Sequence, residues 1–111
     1  MYAARVSESA RVIETSALIE IGHDHPSLPG HFPGRPIVPG VVLLARVMSA
    51  YRAWHPEAAI NAVPQAKFIS PLLPAERCEV RFKEGTPGRV EFECKVGERL
   101  VARGSLAWSD R

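Results

Sequence analysis

The chain has 111 residues, of which 46% are hydrophobic and 23% charged, with a formal net charge of +2. That length suits a single domain, one that buries somewhat over ~60% of the surface its unfolded chain exposes. The small charge excludes the concentrated basic stripe of a nucleic-acid binder, no apolar run reaches the length of a membrane span, and "MYAARVSESARVIE" lacks the apolar core of a secretory signal.

Residues 12–21, "VIETSALIEI", set Ile13, Thr15, Ala17, Ile19 and Ile21 against Glu14 and Glu20, and this β-branched alternation predicts a strand. From residue 22 to 39 no periodic pattern appears. An unpatterned connection of this length is usually functional or disordered, and its prolines argue against disorder, because each fixes φ and restricts the residue before it. His25 to Ala45, "HPSLPGHFPGRPIVPGVVLLA", holds five of the chain's ten prolines and three of its eight glycines, gathered around His31.

Gly40 to Trp54 is the one predicted helix. Val41, Leu44, Met48 and Tyr51 follow helical spacing, while Val42, Leu43, Val47, Ala50 and Trp54 make the other side apolar too. Only Arg46, Ser49 and Arg52 interrupt, so the helix is expected to be buried all round. Pro39 suits its start and His55-Pro56 its end.

Strand signals follow. In "AVPQAKFIS", Pro64 predicts an edge strand or a bulge. "RCEVRFK" and "RVEFECKV" alternate across the turn "EGTPG", with Cys78, Val80 and Phe82, then Val90, Phe92, Cys94 and Val96, facing inward. Leu100, Ala102, Gly104, Leu106 and Trp108 mark the inner face of a last strand. One helix and about five mostly antiparallel strands give an α+β domain, a sheet wrapped round a helix.

If the hairpin centres on Thr86, Cys78 and Cys94 fall opposite each other, where a disulfide is conceivable. Two cysteines do not make a disulfide scaffold, and the expectation is a cytoplasmic protein with two buried, reduced thiols. Lys67, Arg77 and Arg81 cluster in sequence; they suit either an acidic partner or a solvated strand face.

"GHFPGRPIVPGVVLL" resembles the signature of the FabA/FabZ-type 3-hydroxyacyl-acyl carrier protein dehydratases, in which G-H-F-x-G-x-P-x-x-P-G-V leads into a central helix, and "AKFISPLLPAE" resembles that family's strand ending in a proline turn. The similarity runs over roughly residues 11–108. It implies a hotdog fold over 1–111, with a motif loop at 22–39 and the central helix 40–54 inside a curled antiparallel sheet of about five to six strands. It also implies a dimer with acyl tunnels at the subunit interface, and 3-hydroxyacyl groups delivered as thioesters on acyl carrier protein.

Dehydration of such a thioester removes a Cα proton and expels the β-hydroxyl. His31 is the candidate base, because imidazole titrates in the useful range. Gly30 and Gly40 let backbone approach the substrate, and Gly40 opens a helix whose N–H groups and positive dipole end can polarise a thioester carbonyl. Phe32, Pro39, Val41 and Ala45 are assigned to the tunnel or to support of the motif. No cofactor is required, since the thioester itself acidifies Cα. A loop histidine capping backbone groups is the bland alternative for His31, and a plain helix-entry glycine that for Gly40.

The chain departs from the family at Ala45, five residues after Gly40, where the resemblance calls for a Glu or Asp that reaches the other subunit's site. Ser49 stands where a supporting glutamine is usual. Three explanations compete: a composite site with a related subunit that supplies the acid; His31 acting alone, as a slow dehydratase or a hotdog thioesterase; and a catalytically silent acyl-binding or assembly subunit. Asp24 and Glu57 are the nearest carboxylates in sequence to the motif.

His23, Asp24 and His25 have no third ligand at a usual zinc spacing and are expected to form a polar loop rim, with no metal site. Arg46 and Arg52 suit a carrier protein's acidic surface or simple snorkelling. Trp54 and Trp108 suit a core or a tunnel wall.

Overall fold

The structure, a computed structural model, describes residues 3–7, 12–22 and 37–111. Its elements in chain order are β1 (Ala3–Ser7), β2 (Val12–Ile19), α1 (Gly40–Trp54), β3 (Ala58–Phe68), β4 (Cys78–Glu84), β5 (Arg89–Val96) and β6 (Arg99–Asp110). The strands form one antiparallel sheet in the order β1-β2-β4-β5-β6-β3. This is the expected α+β hotdog arrangement, with β1 as a strand that the alternation did not announce.

The inward positions of β4 and β5 are those the alternation marks: Cys78, Val80, Phe82, Val90, Phe92 and Cys94 are all buried. With Leu106 of β6 they enclose Leu43, Val47, Ala50 and Tyr51 of α1 in one core. At about 2 kcal/mol per fully buried large apolar side chain, this contact and not helix propensity holds α1 in place. Pro39 precedes the first turn, and at the other end the His55 N–H donates to the Tyr51 carbonyl at 2.8 Å.

Among the described residues the helix is covered on one side only. Val41, Ala45, Ser49 and Arg52, spaced four, four and three residues apart, are exposed, and no described residue of the chain packs over them. Burial all round is therefore corrected: the sheet covers one face of the helix, and Val41 and Ala45 on the opposite face are exposed, with no cover from the described residues.

β3 is an edge strand, with register irregularities between Ile60 and Ala62 and between Ala62 and Gln65, around the expected Pro64. The β4–β5 register pairs Val80 with Cys94, so Cys78 lies diagonal to Cys94 rather than opposite it. The turn is centred one residue later than Thr86, because the Arg89 N–H closes onto the Thr86 carbonyl at 3.0 Å and leaves Pro87-Gly88 at the corner. Both cysteines are free and buried. The neighbouring Cys78 thiol and burial push the Cys94 thiol well above its ordinary value, which makes it inert.

Lys67 and Arg81 do not form one patch. Lys67 sits on edge strand β3 opposite Arg103; Arg81, three strands away on β4, opposes Glu93 and lies 3.7 Å from Glu79. At about 4.8 Å per strand, roughly 14 Å separates them. Arg77 is exposed ahead of β4.

Candidate functional site at the start of the helix

A cavity of about 430 Å³ lies between the first turn of α1 and the segment that follows β3. That is room for a small acyl group, within the range of small-molecule sites. Pro39, Gly40 and Leu43 form one wall; Phe68, Ile69, Ser70 and Val101 form the other. Main-chain bonds fix this frame: the Val38 N–H donates to the Leu72 carbonyl at 2.9 Å, joining the segment before the helix to the one after β3. Within the second wall the N–H groups of Ile69 and Ser70 both donate to the Val101 carbonyl, at 2.8 and 3.2 Å. Val101 can accept both because it is the extra residue of a bulge, lying between Ala102, paired with Cys94, and Leu100, paired with Lys95. The Ser70 hydroxyl donates to the Leu100 carbonyl at 2.7 Å.

Beside the Ser70 side chain in the cavity wall, the backbone at the helix start offers polar groups. The N–H groups of Val42 and Leu43 both turn back to the Pro39 carbonyl, while those of Gly40 and Val41 have no backbone acceptor among the described residues and no side chain caps the helix. No acidic residue stands in the first turn. The arrangement is two donors at the positive end of a 15-residue helix, beside an apolar pocket. It suits an oxygen that gains negative charge on an otherwise apolar ligand.

Of the residues singled out in the sequence, Pro39 and Gly40 border the cavity. Val41 is 74% exposed on the outer side of the first turn. Ala45 is exposed as well; five residues on from Gly40 at about 100° each, it points away from this chain's cavity. Gly30, His31 and Phe32 lie outside the described residues, as do His23, Asp24 and His25. Glu57 follows the far end of α1, roughly 20 Å from Gly40 at 1.5 Å per residue, which removes it as an acid for this cavity. No carboxylate borders the cavity among the described residues.

Sequence reasoning did not single out Phe68, Ile69 or Val101. Phe68 and Ile69 are consecutive large apolar residues where a strand should alternate, and that break was the available signal. Trp54 and Trp108 do not border the cavity; they pack with Tyr51 and His55 at the opposite end of the helix, at ring distances of 4.6–6.5 Å. Arg46 and Arg52 are exposed.

A family model described as ApeI-like, ApeI dehydratase, matches residues 7–105. The chain is similar to the 3-hydroxyacyl-[acyl-carrier-protein] dehydratase FabZ of Natranaerobius thermophilus, at 29% identity over 101 residues, which covers 80% of this chain and 71% of that protein. Among solved structures it resembles an uncharacterized protein from Erwinia carotovora (TM-score 0.82, 18% identity, 99% of this chain and 93% of the other). It also resembles the dehydratase heterocomplex ApeI:P from Xenorhabdus doucetiae (TM-score 0.76, 20% identity, 88% of each chain). No described helix is long and apolar enough to cross a membrane. The motif around His31, the hotdog architecture and the family match agree: this chain belongs to the FabA/FabZ-type dehydratases, in their ApeI-like branch.

Proposed function

We propose that the chain is the histidine-bearing half of a composite dehydratase acting on 3-hydroxyacyl thioesters carried by acyl carrier protein in the cytoplasm, in fatty-acid or polyene-type biosynthesis. The observation that carries this reading is the pairing of an apolar cavity at an uncapped helix start with the lack of any described carboxylate beside it. The thioester oxygen accepts from the first-turn N–H groups, with the Gly30 backbone as a further donor, and His31 takes the Cα proton. The C–O bond at Cβ breaks, and the hydroxyl leaves as water with a proton from a carboxylic acid. That acid comes from a related subunit, from the position that Ala45 occupies here. The exposure of Ala45 and Ser49 on the uncovered helix face supports a partner lying there. The structural likeness to one chain of a dehydratase heterocomplex is in keeping with it.

The test is to purify the chain alone and together with a co-encoded dehydratase-like subunit. Loss of water from a 3-hydroxyacyl-acyl carrier protein is followed by mass spectrometry, with release of free thiol as the readout for hydrolysis. The pair should dehydrate, and His31→Ala within it should lower the rate by about 10²–10⁴-fold, the usual contribution of a general base. Activity that survives His31→Ala in every combination refutes the assignment; thiol release without loss of water makes the protein a thioesterase.

A further inference from the structure

Phe68 ends β3 with 51% of its surface exposed, yet its ring is not idle. It stands against the first residue of the helix: a Cβ placed on Gly40 would lie 2.9 Å from its Cζ and 3.0 and 3.1 Å from its two Cε atoms. The ring therefore already fills the contact shell over Gly40, on the side where the cavity opens. Beneath it the backbone is fixed. Phe68 pairs with Ala102, and the next two N–H groups are held by the Val101 carbonyl. Movement of the ring is confined to its own two torsions, and the solvent side leaves room for it to turn outward.

We propose that Phe68 is a specificity-determining shutter over the thioester subsite, one that admits an unbranched Cα and rejects a Cα bearing a methyl group. The proposal rests on the reading of the cavity as an acyl-thioester site. A ligand that reaches the Gly40 N–H must share space with the aromatic face. A planar thioester stacks on that face at ordinary van der Waals separation. A methyl on a tetrahedral Cα projects out of the thioester plane and meets the ring. The ring also keeps water from the helix start while the site is empty, which strengthens the N–H donors for the moment they are used.

The experiment measures calorimetric binding to the full chain of two stable probes in which CH2 replaces the thioester sulfur: the analogues of hexanoyl-pantetheine and of 2-methylhexanoyl-pantetheine. Wild type should prefer the straight-chain probe by about 10-fold or more, the scale on which one methyl group is discriminated in an apolar site. Phe68→Ala should bring the two within about 3-fold by improving the branched probe, and Phe68→Trp should weaken both. Phe68 is half exposed, so both variants keep the core, and matched thermal melts verify it. An unchanged preference in Phe68→Ala overturns the shutter while leaving the acyl-thioester reading in place. Failure of wild type and Phe68→Ala to bind either probe overturns both.

Discussion

Gly104 shows how closely the sheet is packed. It faces Phe92 on β5 and Ala66 on β3 at once. A Cβ there would run into the Gln65 carbonyl oxygen and come within 2.8 and 2.9 Å of the Phe92 ring. The backbone atom cannot move without opening the β3–β6 ladder, so the smallest substitution carries a large penalty. Gly104→Ala should cost about 3 kcal/mol, at the upper end for overpacking by one carbon, read as a lower urea midpoint at unchanged slope. A loss below about 1 kcal/mol, within the range of ordinary surface changes, would mean that β3 yields there. Alternation marks position 104 as inward, but the need for glycine arises from two neighbouring strands, which no local pattern contains.

At the scale of elements, α1 is fastened at both ends by different means. Its start is held by main-chain bonds around the cavity, its end by a side-chain cluster. The Tyr51 hydroxyl donates to Glu84 Oε1 of β4 and lies 3.1 Å from His55 Nδ1, which is itself 3.6 Å from the same carboxylate. Burial, then the hydrogen bond and charge of Glu84, raise the Tyr51 pKa far above its ordinary value of 10.0. Tyr51→Phe leaves a mostly buried carboxylate without its hydroxyl donor and should cost about 1–3 kcal/mol at neutral pH. Because the folded pKa is raised, the stability contributed by Tyr51 is complete below pH ~10 and declines above it, where only the unfolded chain ionises. Urea titrations at pH 7.5 and 10.5 should therefore show the gap between wild type and Tyr51→Phe narrowing at the higher pH; a gap that widens would mean that the phenol is not held neutral.

The same elements show what was legible beforehand. The limits of α1 follow from Pro39-Gly40 and His55-Pro56, and β4 and β5 follow from strict alternation, since these signals act within a few residues. β1 escaped because "AARVS" alternates nothing; it is a strand by virtue of pairing with β2. One-sided burial of α1 escaped because composition states that a face is apolar, not whether its own chain covers it. Of the site, Pro39 and Gly40 were legible through the motif, whereas Phe68 meets Gly40 only through the fold.

For the whole molecule, the uncovered face of α1 sets where a replacement acid can act. Ala45 is exposed and turned from its own cavity, so a carboxylate there serves another chain's site or none. The position tolerates the change: Glu is nearly as good a helix former as Ala, and nothing buried is displaced. Ala45→Glu should therefore fold as wild type does and confer dehydration on the lone chain, with a rate per chain that rises with protein concentration as two copies associate. The double variant His31→Ala/Ala45→Glu should be inactive by itself. Mixed with wild type, it should recover activity, because each mixed pair joins one histidine to one carboxylate from the opposite chain. Activity independent of concentration over the range in which the copies dissociate would place the acid and base within one chain, and equal activity in the double variant would remove His31 as the base; either result ends the composite-site reading.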